Sequence, residues 1–228
     1  SQRNLYKMSK RDIVSDLLLS GKDSTVWTIA QLSQALNGGT SSASVKATER
    51  AVHNSEINFK PLATDALLDE HERPAKKLVL DQLVTNSRKK RHLVLFAQLV
   101  TVGDSTVLAI NDARQGRRWI LLQASENLKS SIEDGLDALV DHESKDVVLI
   151  PHGDLVGISR TLVKERGQRQ IVSKPEGSLS VALEVYSHGH SEILQTANRH
   201  DRPKKNQKLT HLDRLEAESM HIIREVMA

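Results

Sequence analysis

A short polar loop near the start of the chain carries residue types that bind phosphate. It follows the apolar residues 17–19 and consists of Ser20, Gly21, Lys22, Asp23 and Ser24. If residues 16–19 form a buried strand and a helix begins at Thr25, the first N–H groups of that helix and the Lys22 ammonium point at one place. The residues therefore predict a phosphate-binding loop, with an ordinary solvated turn as the alternative.

The same stretch also fits a helix, because its apolar residues are spaced as on one helix face. On that interpretation residues 28–36 and 41–53 form two further helices separated by the Gly38-Gly39 break, which is the outline of a helix-turn-helix. We expect Ser41 or Ser42 to cap the last of these helices. Only a strand at residues 16–19 can present the phosphate loop, so the two interpretations are distinguishable.

The helix-turn-helix interpretation makes the chain a nucleic-acid-binding protein or transcriptional regulator. Its contacts would come from the exposed side of the last helix, through Ser44, Lys46 and Arg50. A second basic group consists of Arg88, Lys89, Lys90 and Arg91, directly after an apolar helix or strand at residues 75–85. Four adjacent cations usually form a solvated turn, and phosphate contact is the alternative.

Histidines offer two further features. The turn Pro151-His152-Gly153-Asp154 follows a predicted strand, where α/β proteins often place functional side chains, although a single histidine there is most often structural. His188 and His190 have the spacing of some two-histidine metal sites, but no third ligand accompanies them. We predict no metal site and assign no catalytic residue.

Composition limits the classes of function. The 228 residues include no cysteine, which excludes disulfides, thiolate nucleophiles and cysteine-ligated metal sites. The net charge is +3, which permits a polyanionic partner without requiring one, and only 3% of residues are aromatic, which disfavours a base-stacking platform. No apolar run is long enough for a membrane span and no secretory signal is evident, so we expect a cytoplasmic protein that contacts no membrane.

The expected fold is α/β or α+β, with a mixed sheet, flanking helices and a helical N-terminal part. The predicted strands are residues 93–102, 106–110, 119–122, 147–150, 171–172 and 179–186, with a helix over residues 125–140 capped by Ser125. We divide the chain into an N-terminal unit (1–73), a β-rich domain (74–198), a basic linker (199–208) and an isolated amphipathic helix (209–228).

That last helix carries a resemblance to a known family. Thr210 and Asp213 form a capping-box pair, and apolar residues such as Leu215 and Ile222 recur every three or four positions. Residues 209–226 resemble the opening helix of the small, nucleotide-binding subunit of bacterial sulfate adenylyltransferase (ATP sulfurylase), a PP-loop family. In that family the helix precedes a Ser-x-Gly-Lys-Asp-Ser loop, whereas here residues 20–26 precede the helix and Leu19 stands at the leading Ser. A rearranged, truncated or chimeric chain would explain this order.

The resemblance implies an adenylyltransferase that converts ATP and sulfate to adenylyl sulfate and pyrophosphate, or an inactive relative of one. It further implies ATP and Mg²⁺ as cofactors, the loop at residues 20–24 as the ATP site, and a larger GTPase subunit as partner. Under the alternative hypothesis the partner is nucleic acid and the β-rich domain serves dimerisation or partner binding. Both hypotheses are compatible with an oligomer.

Overall fold

In the part of the chain that the structure describes, seven strands form one mixed, curled sheet with helices on both faces, which confirms the predicted α/β class with a helical N-terminal part. The computed structural model describes residues 13–21, 24–122 and 127–186. Lys22, Asp23, the two histidines at 188 and 190, the basic linker and the C-terminal amphipathic helix lie outside the described residues. Within the described ranges, no helix is both long and apolar enough to cross a bilayer.

The six α-helices within the described residues are α1 (Ile13–Leu19), α2 (Ile29–Asn37), α3 (Ser42–His53), α4 (Lys77–Lys89), α5 (Leu128–Glu143) and α6 (Asp154–Arg166). The strands are β1 (Val26–Thr28), β2 (Leu93–Val102), β3 (Ser105–Asp112), β4 (Arg117–Leu122), β5 (Val147–Pro151), β6 (Gln170–Lys174) and β7 (Gly177–Val181). A 3₁₀ turn, Glu184–Tyr186, follows β7.

The strand order in the sheet is β1-β4-β3-β2-β5-β7-β6. The strands β2, β3 and β4 form an antiparallel meander, with β1 antiparallel to β4 at one edge. The strands β2, β5 and β7 run parallel, and β6 closes the other edge as a hairpin with β7. The turn between β2 and β3 contains Gly103 at φ 57°, a conformation that costs glycine nothing and an L-residue about 1–2 kcal/mol.

Side chains of β2 alternate between two faces of the sheet because successive residues in a strand point to opposite sides. Leu95 and Ala97 join the core under α5 and α6. Val94 and Phe96 join a core with α4, and Val102 joins a core with α1, α2 and α3. The helices α1 to α4 therefore cover one face of the sheet, and α5 and α6 cover the other.

Gly135 lets α5 approach the sheet closely. A Cβ at this position would lie 3.3 Å from Leu122 Cδ2, slightly closer than ordinary van der Waals contact, and 3.4 Å from Ile120 Cγ2, at the lower limit of such contact. The α5 helix thus lies directly on β4.

The prediction of a strand at residues 16–19 is wrong, because these residues belong to α1. Val14 and Leu18, four residues apart, are both buried on one side of that helix, and Asp16 is exposed on the other. The short apolar run fits the spacing of a helix as well as that of a strand, and the packing of one helix face against the sheet selects the helix.

Two boundaries and one further helix differ from the sequence prediction. The α5 helix begins at Leu128 and is capped by Asn127, whose side chain accepts from the Ser130 amide at 3.4 Å; the predicted cap, Ser125, lies outside the described residues. The last predicted strand ends at Val181, after which the 3₁₀ turn begins. The α6 helix was not predicted, because its apolar positions follow a glycine-containing turn without a capping side chain.

Candidate nucleic-acid interface

The helices α2 and α3 form the predicted helix-turn-helix outline. Nearby capping residues fix where each helix begins and where α2 ends. A capping box begins α2: the Gln31 amide donates to Thr28 Oγ1 (3.3 Å) and the Thr28 amide donates to Gln31 Oε1 (2.7 Å). Gly38, at φ 68°, ends α2 in the left-handed region. Ser41 caps α3 by accepting from the Ser44 amide at 3.2 Å, as the sequence predicted.

A polar network inside the turn fixes α3 against α2. The Asn37 side-chain amide donates to Thr48 Oγ1 (2.9 Å) and to the Ser44 carbonyl (3.2 Å). The Ser33 hydroxyl donates to the Gly39 carbonyl at 2.6 Å. Ser33 and Thr48 are fully buried, so an unpaired hydroxyl there would be costly and the paired arrangement is strongly preferred.

The segment after α3 anchors this unit to the sheet. The buried Trp119 indole donates to the Ile57 carbonyl at 2.8 Å, and the Phe59 ring meets the Trp119 ring edge-on with centroids 5.8 Å apart. The Gly103 amide donates to Glu56 Oε2 at 3.2 Å. These contacts place the C-terminal end of α3 beside the turn between β2 and β3.

Buried Asn111 extends the anchor. Its side chain accepts from the Leu62 amide and donates to the Leu62 carbonyl, both at 2.9 Å. The segment that joins α3 to the rest of the chain is therefore held to β3 by a pair of hydrogen bonds.

The outward side of α3 is polar and basic. Thr48 and Val52 are buried beneath it, and the exposed residues Lys46, Glu49, Arg50, His53 and Asn54 line a shallow recess. Within the described part of the chain, no salt bridge involves Lys46 or Arg50. Both cations are therefore available to a partner.

Ser44 does not lie on the exposed side of α3, where the sequence predicted it as a contact residue. It is half-buried, and its hydroxyl lies 2.9 Å from Ser41 Oγ within the cap. Ser42, in the first turn of α3, is exposed instead. Sequence reasoning missed Ser42 and His53 as exposed residues of α3, although a helical projection of residues 42–53 would have placed both outside the buried stripe.

The predicted phosphate loop follows a helix, α1, and leads into a strand, β1, so the expectation of a helix that begins at Thr25 is wrong: α2 begins at Ile29. Among its described residues, the Ser20 amide donates to the Asp16 carbonyl (2.8 Å) and the Gly21 amide donates to the Leu18 carbonyl (3.2 Å). The Ser24 amide donates to the Leu121 carbonyl at 3.3 Å. These three amides already donate to protein carbonyls. The phosphate interpretation required a strand at residues 16–19, and those residues belong to the helix α1.

The basic group at residues 88–91 lies at the C-terminal end of α4. Arg88 and Lys89 belong to its last turn, Lys90 is the C-cap, and Arg91 follows at φ 61°. All four are exposed. The group precedes β2, whereas α3 lies at the other end of that strand, so the structure does not join the two sets of predicted contact residues in one cluster.

His152 follows β5 and borders a cleft of about 340 Å³. Its Nδ1 accepts from the Leu68 amide at 3.0 Å, so the neutral ring carries its proton on Nε2. Burial lowers the pKa of His152, which favours that neutral form. In this form the ring presents a donor to the cleft and has no free lone pair for base chemistry.

Two of the four acidic residues that line the cleft, Asp69 and Glu70, hold its loop. Asp69 accepts from Arg73 and from the His71 amide, and Glu70 Oε1 accepts from Arg160 Nε at 2.8 Å. Considering only residues 13–21, 24–122 and 127–186, no group of three or more histidine and acidic side chains is arranged to hold a metal ion. Asp69, Glu70 and the residues that donate to them thus form a structural cluster.

Comparisons with protein-family models, with curated proteins and with solved structures gave no match. The resemblance to the sulfate adenylyltransferase small subunit stays a prediction from the residues that carry it, and so do ATP, Mg²⁺ and the GTPase partner subunit.

Proposed function

We propose that the protein binds double-stranded DNA through α3. The observation that carries this proposal is that α3 buries one side against the sheet unit and turns Lys46 and Arg50 outward without ion-pair partners among the described residues. In a helix-turn-helix the second helix enters the major groove while the first supports it. Helix α3 has that position in the chain and that exposed, basic character.

Duplex DNA suits this helix better than duplex RNA. The major groove of B-form DNA is about 12 Å wide and admits an α-helix, whereas that of A-form RNA is too deep and narrow for side chains to read. With 3% aromatic residues the chain offers few rings for stacking on single strands. Because the chain has a net charge of only +3 and presents few cations on α3, we expect its affinity for DNA to be modest and to fall as the salt concentration rises.

The test is the salt dependence of binding to a fluorescent duplex of about 24 base pairs, measured by anisotropy on the full chain. We expect Lys46→Ala/Arg50→Ala to weaken binding and to reduce the slope of log K against log salt by about 1.8, since each phosphate contact contributes about 0.9. The matched control is Lys77→Ala/Lys164→Ala, which removes the same charge from exposed positions on α4 and α6.

Equal losses in the two double variants would mean that only net charge matters, and would contradict a specific role for α3. Absence of any duplex binding by the parent chain at low salt would overturn the proposal as a whole.

A further inference from the structure

We infer that the basic turn at residues 88–91 is a second DNA-backbone contact, about one helical turn of the duplex away from α3. The inference rests on the proposed function and deepens it, because it sets the length of DNA that the protein engages. The ligand chemistry is the phosphodiester backbone of a duplex, recognised by Lys and Arg as charges without base readout.

The two basic regions lie at opposite ends of one strand. The Glu56 contact to Gly103 places the end of α3 beside the C-terminal end of β2, and the turn at residues 88–91 leads into its N-terminal end. The strand has 10 residues, so at about 3.3 Å per residue its ends are separated by about 30 Å. One turn of B-form DNA is about 34–36 Å long, a comparable distance.

Both regions belong to the same face of the sheet. Phe96 and Val102 of β2 point to this face, where the first packs in the core with α4 and the second in the core with α1, α2 and α3. A duplex that runs parallel to β2, over the helices that cover this face, can therefore approach α3 and the end of α4 together.

The turn is built to present cations. The Arg91 amide donates to the Arg88 carbonyl (3.0 Å) and the His92 amide donates to the Ser87 carbonyl (2.9 Å), which closes the chain into a fixed turn before β2. The bond from the Leu93 amide to the Asp146 carbonyl brings the exposed Lys145 beside this turn. In the described part of the chain, Lys89 and Lys90 make no salt bridge.

The ordinary explanation for four cations at a helix end is a favourable interaction with the helix dipole in water. That interaction requires no ligand, so it predicts no dependence of DNA binding on the length of the duplex. The dependence on duplex length therefore separates the two explanations.

The experiment compares Lys89→Gln/Lys90→Gln with the parent chain on two duplexes by fluorescence anisotropy. One is the duplex of about 24 base pairs, and the other is a hairpin with a stem of about five base pairs, about 17 Å long at about 3.4 Å per base pair and so much shorter than the distance between the two regions. On the long duplex we expect the salt slope to fall by about 1.8, and on the short stem we expect a change below about 0.5.

Lys77→Gln/Lys164→Gln, which removes the same charge, is expected to leave both slopes unchanged. Equal loss on both duplexes, or no loss on either, would overturn the inference. If Lys46→Ala/Arg50→Ala still weakens binding to both duplexes in that case, the proposed role of α3 stands and only the second contact fails. If the parent chain binds neither duplex, both proposals fail.

Discussion

At the scale of single residues, Asp69 shows how a surface loop can depend on one buried carboxylate. Burial alone would raise its pKa, but the Arg73 amide and guanidinium and the His71 amide all donate to it and together lower the pKa to about 2. The loop they close reaches His152 through the neighbouring Leu68 amide. The carboxylate therefore organises the wall of the cleft and is not free for chemistry.

The first stability prediction concerns this carboxylate. Because its pKa in the folded protein lies below the ordinary 3.8, its stabilising contribution is present above that value and is lost as the pH falls through about 2. We expect Asp69→Asn to lower the free energy of unfolding by about 2 kcal/mol at about pH 7, and the difference from the parent to shrink between about pH 4 and pH 2. Urea unfolding at several pH values measures it.

The control is Asp65→Asn, an exposed aspartate of the same segment, which should change the free energy of unfolding by less than about 0.5 kcal/mol. A parent-minus-variant difference that stays constant from about pH 7 to pH 3 would show that Asp69 stabilises the loop without its charge.

At the scale of elements, the helix-turn-helix depends on the backbone conformation of the two glycines between α2 and α3. Gly38 and Gly39 are adjacent, and a Cβ added to either would meet nothing within 4 Å. Of the two, only Gly38 has a positive φ, at 68°. The two positions therefore differ in backbone conformation and not in available space.

This difference gives a matched pair of variants. Gly38→Ala should destabilise the protein by about 1–2 kcal/mol, the cost of the left-handed conformation for an L-residue. Gly39→Ala should be neutral or stabilising by up to about 1 kcal/mol, because it reduces the freedom of the unfolded chain. Thermal unfolding of both variants beside the parent measures the effect, and equal melting temperatures for the two would refute the proposed role of the turn.

At the scale of the whole molecule, the helical N-terminal part and the sheet share one core. The strand β1 pairs with β4, and the two tryptophans of the chain, Trp27 and Trp119, both pack between the sheet and α1 to α3. Asn111 and Trp119 add buried hydrogen bonds to the connecting segment. We therefore expect α1 to α3 and the sheet to unfold together.

Tryptophan fluorescence reports this interface, and far-ultraviolet circular dichroism reports the helices and strands, so the two signals should give the same denaturant midpoint. Asn111→Ala should shift both midpoints together and cost about 1–3 kcal/mol, since the Leu62 amide and carbonyl lose buried partners. A fluorescence transition that precedes the dichroism transition would show instead that the helix-turn-helix detaches first.

Local chemistry in the sequence determined much of this protein. Gly38 and Ser41 mark the turn and the cap of the helix-turn-helix because their preferences act within a few residues. The apolar residues of β2 and the turn at Gly103 likewise predict the hairpin, and the strand, helix and strand succession predicts the α/β class.

The tertiary structure alone decided how residues far apart in the chain meet. The apolar run at residues 17–19 is too short to favour a helix over a strand by its own pattern, and burial of Val14 and Leu18 against the sheet makes this segment a helix. The separation of α3 from residues 88–91 follows from the central place of β2. The lowered pKa of Asp69 follows from hydrogen-bond donors that folding brings to it, and the lowered pKa of His152 follows from burial. Contacts of this kind depend on the order of strands in the sheet, which no window of a few residues encodes.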